Sequence, residues 1–148
     1  MKKIIFIILF IGAANSMFAQ QFRQKIHLLK TSYITNAINL TPKEAEKFWP
    51  IYNLYSDKIH DLKYELESGI DKKLLKNGNL DAISDKDAEI YLNNSLKMEQ
   101  DIVNQKIKMK NELSKIISAK KILLLQKAEK DFNRRMLQEY GKRKGMKQ

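Results

Sequence analysis

Residues 41–66 read TPKEAEKFWPIYNLYSDKIHDLKYEL, and this stretch decides the fold. Thr41 is a good helix N-cap, Pro42 suits the first helical position, and Glu44 completes a capping box with Thr41. Apolar residues then recur at alternating steps of three and four, the period of one helix face. They are Ala45, Phe48, Tyr52, Tyr55, Ile59, Leu62 and Leu66. Because this spacing keeps its register through Pro50, we predict a kink there rather than a helix end.

The segments before and after this stretch show the same helical period. A first helix is predicted on one face from Phe22, Ile26, Leu29, Tyr33, Ala37 and Leu40. After a chain reversal at Gly78, Ser84 is the predicted N-cap of a third helix that runs to about residue 117. Its stripe is Ala88, Tyr91, Ser95, Met98, Ile102, Gln105, Met109 and Leu113, and a flanking row is expected to widen it: Leu92, Leu96, Val103 and Ile107. The second and third helices would each be ~50 Å long.

Ser118 is the predicted N-cap of a last helix. The apolar stripe of this helix is Ile122, Leu125, Ala128, Phe132, Met136 and Tyr140. Residues 141–148 hold four basic residues, two glycines and no apolar stripe, so we predict a flexible basic tail there.

The composition agrees with an all-α protein. A chain of 148 residues allows one domain. Its low content of glycine (five residues) and proline (two residues) argues against a turn-rich all-β fold. No segment alternates apolar and polar residues over a length that would indicate a β-strand. We therefore predict about four helices, two of them long and one kinked at Pro50, in an elongated hairpin or cradle over residues 20–140. Such a thin body leaves an apolar seam uncovered, so a homodimer is expected.

The N-terminus is typical of a secretory signal peptide over residues 1–19. Lys2 and Lys3 precede the apolar run 4–11, which is too short to span a bilayer. We predict cleavage after Ala19, with a cut after Ser16 or an uncleaved N-terminal anchor as alternatives. Export to the periplasm argues against a nucleic-acid partner.

The sequence offers little for catalysis or for a cofactor. Zero cysteines exclude disulfides, thiol nucleophiles and cysteine-ligated metals, and only two histidines occur. No nucleophile motif is present, so we predict that the protein is not an enzyme and binds no cofactor. A metal site from His27 and His60 with Asp57 or Asp61 is a lesser alternative.

Two helix starts form a weak internal repeat. Leu40-Thr41-Pro42-Lys43-Glu44 and Ile117-Ser118-Ala119-Lys120-Lys121 share an aliphatic residue, a hydroxyl and, at the fifth position, a long polar side chain. Any Ser/Thr-capped helix could give this pattern. The layout nevertheless resembles the Spy/CpxP family of periplasmic stress proteins, whose hallmark is a pair of LTxxQ motifs.

The stretch from Leu40 to Tyr55 is similar to a Bacteroidota branch often labelled "sensor of ECF-type sigma factor". The residues that carry the resemblance and the capping are Leu40, Thr41, Pro42, Glu44, Phe48, Trp49, Pro50, Tyr52 and Ser118. Glu44 stands where the first motif has Gln, and Ile117, Ser118 and Lys121 depart from the second. The resemblance implies a cradle-shaped helical dimer. Members of the family are ATP-independent chaperones, regulators of an envelope-stress sensor, or metal-responsive proteins.

The charge distribution points to a binding surface. Residues 101–148 hold 14 basic and 5 acidic side chains, whereas residues 20–100 hold 12 of each. The candidate partner-binding residues are Lys106, Lys110, Lys121, Lys127, Arg134 and Arg135, with Met98 and Met109 as adaptable apolar contacts. We predict capture of unfolded or misfolded envelope proteins. The alternatives are an adaptor that binds an envelope-stress sensor kinase or an anti-sigma factor, an anionic membrane surface, or an ordinary solvated helix face.

Overall fold

A computed structural model describes residues 24–77 and 83–145 of the chain. Within these ranges the fold is all-α with four helices, as predicted. Helix α1 covers residues 24–37, α2 Pro42–Asn77, α3 Asp85–Leu113 and α4 Ala119–Gly145, and the described ranges contain no strand. The predicted signal peptide and the predicted reversal at Gly78 lie outside these residues.

Helix α1 ends in a local hydrogen-bonded motif. Asn39 has a positive φ of 50°, a left-handed conformation that asparagine tolerates better than most residues. The backbone N–H of Leu40 donates to the carbonyl of Thr35 at 3.1 Å, and that of Asn39 to Asn36 at 3.2 Å. These two bonds define a Schellman motif. They end α1 directly before the N-cap of α2.

Helix α2 is continuous through Pro50, as the unbroken apolar spacing predicts. The predicted stripe is confirmed, because Phe48, Tyr52 and Ile59 are buried and its other members are half-buried. Proline removes one backbone donor, yet the apolar face on both sides of it is packed and keeps the helix intact.

Helix α3 begins as predicted but ends earlier. The backbone N–H of Asp87 donates to Oγ of Ser84 at 3.2 Å, so Ser84 is the N-cap. The helix ends at Leu113 rather than near residue 117. Oγ of Ser114 donates to the carbonyl of Lys110 at 2.7 Å, and the chain then turns toward the next N-cap. Such side-chain bonds compete with regular helix and favour its end.

One side of α3 follows the prediction and the other does not. Every residue of the main stripe is buried or half-buried, and α2 packs against α3. The flanking row is exposed instead: Leu92 60%, Leu96 61%, Val103 45% and Ile107 52%. The expectation that this row widens the buried stripe is therefore wrong, because α3 buries only the narrower face.

Two helices depart from their predictions at the ends of the chain. The buried residues here are Ile34 in α1 and Ile38 directly after it, whereas Leu29 of the predicted face is 48% exposed. The predicted face is thus right only in part: Ile26 and Tyr33 are half-buried, but the most buried position of α1 is Ile34, beside that face. Helix α4 continues to Gly145, past the predicted end at residue 140. Residues 141–145 are thus helical.

The chain divides into two compact units. The central unit is Thr41–Ile122, and its buried residues are Phe48, Tyr52, Ile59, Ile102, Leu113, Ile117 and Ile122. The terminal unit combines residues 24–40 with 123–145, and it buries Ile34, Ile38, Leu125, Ala128 and Phe132. Each unit thus has its own set of buried apolar side chains.

Candidate functional site

The two repeated motifs both start helices. The backbone N–H of Thr41 donates to Oε2 of Glu44 at 2.8 Å, and that of Glu44 donates to Oγ1 of Thr41 at 3.2 Å. This is the predicted capping box. At the start of α4, the backbone N–H of Lys121 donates to Oγ of Ser118 at 3.3 Å. Ser118 therefore occupies the N-cap position that the sequence predicts.

An ion pair joins these two helix starts inside the central unit. Nζ of Lys121 donates to Oε2 of Glu44 at 2.6 Å, and both side chains are 23% exposed. This hydrogen bond, helped by the one from the Thr41 backbone, holds the pKa of Glu44 below its usual range. Lys121 is a predicted partner-binding residue. Its contact with Glu44 favours a structural role, in which it holds the start of α4 at the start of α2.

The aromatic residues of the first motif pack on one another. The ring of Phe48 stacks on that of Tyr52 with centroids 5.4 Å apart, and Trp49 meets Phe48 edge-on at 5.0 Å. Phe48 and Tyr52 are buried and Trp49 is half-buried. These residues therefore build the core of the central unit rather than an open binding surface.

An exposed basic face runs along α4 in the terminal unit. It is formed by five residues, which we call the basic face of α4: Leu123, Lys127, Lys130, Arg134 and Leu137. The spacing of three and four residues places them on one side of the helix. Leu123 is 68% and Leu137 73% exposed, and the side chains of Lys127 and Arg134 are 72% and 70% exposed. Large apolar side chains thus flank three cations in water.

Asp131 moderates the charge of this face. Nζ of Lys127 donates to one of its carboxylate oxygens at 2.6 Å, and Nη2 of Arg134 donates to the other at 2.9 Å. The hydrogen bond from Lys127 is the main reason that the pKa of Asp131 lies below its usual range. Asp131 therefore stays ionised at neutral pH and orients two of the three cations.

Arg135, also a predicted partner-binding residue, contacts α1. Its guanidinium lies 5.1 Å from the centroid of the Tyr33 ring, a cation–π distance. The Tyr33 ring in turn lies 5.8 Å from that of Phe132. Arg135 thus helps to hold α1 and α4 together in the terminal unit, in addition to carrying charge.

The predicted binding residues of α3 belong to the central unit. Lys106 and Lys110 are exposed. Met98 and Met109 are half-buried on the same side of α3 as buried Ile102. Their position favours packing inside the unit over contact with a partner.

Leu123 and Leu137 are the site residues that sequence reasoning missed. Both lie outside the predicted stripe of the last helix, next to basic residues. The signal was available, because a large apolar residue off the buried face of a helix must be exposed or bound to another surface.

The described residues contain no group of three or more His, Cys, Asp or Glu side chains arranged to hold a metal ion. His27 and His60 are both exposed, and they belong to different units. Across residues 24–77 and 83–145, none of the helices combines the length and the apolar character needed to span a bilayer.

No family model, curated protein or solved structure matches the chain. The assignment to the Spy/CpxP family therefore stays a prediction from the sequence motifs.

Proposed function

We propose that the protein is an exported, non-enzymatic chaperone-like protein that captures unfolded or misfolded envelope proteins without nucleotide. The observation that carries this proposal is the basic face of α4. Three cations lie between two leucines that are more than two-thirds exposed. Unfolded chains offer the complementary chemistry, since they expose carboxylates and apolar side chains together.

The net charge of the two units supports this surface as the capture site. Residues 24–40 and 123–145 hold 9 basic and 3 acidic side chains, whereas Thr41–Ile122 holds 15 and 14. The charge excess therefore belongs to the terminal unit. A concentrated field of one sign attracts oppositely charged chains over about 8–10 Å at physiological salt.

Capture would proceed in two steps on this face. Lys127, Lys130 and Arg134 attract acidic segments first, because charge acts at longer range than contact. Leu123 and Leu137 then bury apolar side chains of the bound segment, which slows its release. The helix itself need not change, since its opposite side is held by buried Leu125, Ala128 and Phe132.

The test is an aggregation assay with the purified protein, a denatured acidic client and no nucleotide. We expect stoichiometric protein to suppress aggregation at low salt. The triple variant Lys127→Glu, Lys130→Glu, Arg134→Glu should lose about tenfold in client affinity, and high salt should weaken the unmodified protein similarly.

A matched control keeps the same change in net charge. Lys43→Glu, Lys47→Glu and Lys63→Glu alter three exposed lysines of the central unit, and this variant should retain most of the suppression. Equal loss in both triple variants would show a non-specific charge effect and would contradict the proposal, as would no suppression by the unmodified protein. If crosslinking in cells recovers one dominant sensor or anti-sigma factor, this result would contradict the chaperone-like function and favour the adaptor function.

A further inference from the structure

The two leucines of the basic face of α4 lie at opposite ends of a straight row. Leu123 and Leu137 are about 21 Å apart along the helix axis, at about 1.5 Å per residue. A helix turns by about 100° per residue, so these leucines and the three cations between them lie within an arc of about 80°. Buried Phe132 lies on the opposite side of the helix. The face therefore has a defined length, with an exposed apolar side chain at each end.

The positive charge fills the middle of this row. Lys127, Lys130 and Arg134 follow Leu123 at about 6, 11 and 17 Å along the axis. Asp131 accepts hydrogen bonds from the first and the last of these cations. Among the described residues, Lys130 takes part in no ion pair. The face thus offers an apolar contact, a cationic centre and a second apolar contact in a fixed order.

The length of the row corresponds to a short extended segment. Backbone rises about 3.3 Å per residue in a β-strand and about 3.1 Å in polyproline II, a major conformer of unfolded chains. Residues six positions apart are therefore separated by roughly 19–20 Å, close to the distance between the two leucines. Their side chains also point to the same side of the chain in both conformations, because six is a multiple of the two-residue and the three-residue period.

Resting on the proposed function, we propose that the basic face of α4 selects extended segments with two apolar residues six positions apart and carboxylates at every second position between them. The apolar side chains of such a segment contact Leu123 and Leu137. Its first carboxylate lies about 7 Å along the row, beside Lys127, and its second lies at about 13 Å, between Lys130 and Arg134.

The order of residues in the client matters here as well as its composition. A segment with its two apolar residues adjacent can contact only one of the leucines. Its carboxylates then lie beside the other leucine, where they lose water without gaining a hydrogen bond or an ion pair. Charge alone therefore attracts many acidic segments to α4, whereas the two leucines hold the segments that have the matching spacing.

Gly141 provides a way to change the length of the row. It lies on the same arc, about one turn beyond Leu137. It is exposed, and a Cβ added to it would meet no other part of the described chain within 4 Å. A leucine there would lie about 27 Å from Leu123, which matches apolar residues eight positions apart in an extended segment. The double variant Leu137→Ser, Gly141→Leu thus moves one apolar end and leaves the three cations in place.

Fluorescence anisotropy with three labelled peptides tests the preference. The peptides have equal length and composition, with two leucines and two glutamates in a serine background. The leucines are six apart in the first, eight apart in the second and adjacent in the third, and the glutamates of the first two peptides lie at even positions between the leucines. The native protein should bind the first peptide about fivefold more tightly than the others, since each of these loses one apolar contact. The double variant should prefer the second.

Leu54→Ser is the matched control, because it removes a 52% exposed leucine from α2 in the central unit. It should keep the preference of the native protein. Equal affinity of the native protein for all three peptides would overturn the inferred preference, even if the double variant fails to fold. The proposed capture site would survive that result if Lys127→Glu, Lys130→Glu, Arg134→Glu abolished binding of every peptide. Failure of the native protein to bind any peptide would overturn both proposals.

Discussion

The central and terminal units bury the same kinds of side chain but expose different ones. The exposed side of α3 in the central unit carries Leu92, Leu96, Val103 and Ile107, with exposed Glu99 and Gln100 between the two pairs. The exposed side of α4 in the terminal unit is basic at its centre, with a leucine at each end. The chemistry that each unit exposes is thus a property of the helix face that its core leaves uncovered.

The largest expected effect is the loss of stability when a buried phenylalanine is truncated, and it should be similar in both units. Phe48, in the central unit, is fully buried, and Phe132, in the terminal unit, is 7% exposed. Replacing either by Ala should lower the free energy of unfolding by about 3–5 kcal/mol, because each change leaves a cavity. Urea unfolding followed by circular dichroism measures this.

Leu137→Ala is the control for these truncations. Leu137 is 73% exposed, so its truncation should change the free energy of unfolding by less than about 0.5 kcal/mol. A small effect of Phe48→Ala or Phe132→Ala would show that the corresponding side chain is not part of a packed core.

A smaller effect should be confined to the central unit and should depend on pH. Glu44→Gln keeps an oxygen that can accept from the Thr41 backbone but removes the charge that attracts Lys121. We expect the Tm to fall by a few degrees at neutral pH. The pKa of Glu44 is lowered in the folded protein, so its stabilisation is complete above the ordinary glutamate pKa and is lost as the pH falls through the lowered one.

The difference in Tm between the native protein and Glu44→Gln should therefore shrink as the pH falls below the ordinary glutamate pKa and close once Glu44 is protonated in the folded protein. Thermal unfolding at a series of pH values measures the difference. Glu46→Gln, at an exposed position of α2, removes the same charge without touching Lys121 and should show a much smaller difference. A difference that stays constant with pH would mean that the ion pair is not its source.

The smallest expected effect concerns the basic face of α4. Asp131→Asn removes the carboxylate that accepts from Lys127 and Arg134, so both cations become available to a client. Client affinity should rise about twofold, since exposed ion pairs contribute little and are easily exchanged. Fluorescence anisotropy with a labelled acidic peptide measures this.

Glu112→Gln is the matched change in the central unit. Glu112 of α3 pairs with Lys115, just after the end of the helix, at 2.7 Å, so its loss frees that cation. Client affinity should not change in this variant. A similar rise in client affinity in both variants would show that capture depends on net charge alone. It would contradict the proposal that the terminal unit is the capture site.

The predictions that held rest on local chemistry. The helix starts at Thr41, Ser84 and Ser118 depend on a side chain that caps a backbone N–H within three residues. The end of α1 was equally local but was missed, because Asn39 adopts its positive φ in a run without glycine. The early end of α3 at Leu113 was missed since Ser114 gives no strong stop signal.

The predictions that failed rest on a choice between two apolar sides of one helix. In α3, spacing identifies both the buried stripe and the adjoining row, and it cannot tell that α2 covers only the first. In α1 it includes Leu29, which is exposed, and omits Ile34, which packing buries. Burial depends on which other helix packs against a given face, and the spacing of residues within one helix does not identify that partner.

The sequence by itself determined the helices and the basic excess of the chain, because capping and periodicity act within a few residues. Tertiary structure decided which charges contact distant segments of the chain. It brings Lys121 to Glu44, 77 positions earlier in the chain, and Arg135 to Tyr33, while Lys127, Lys130 and Arg134 remain on an exposed face. It also gathers most of the positive excess into one unit by joining the two ends of the chain. These pairings depend on contacts between distant segments, which only the folded chain supplies.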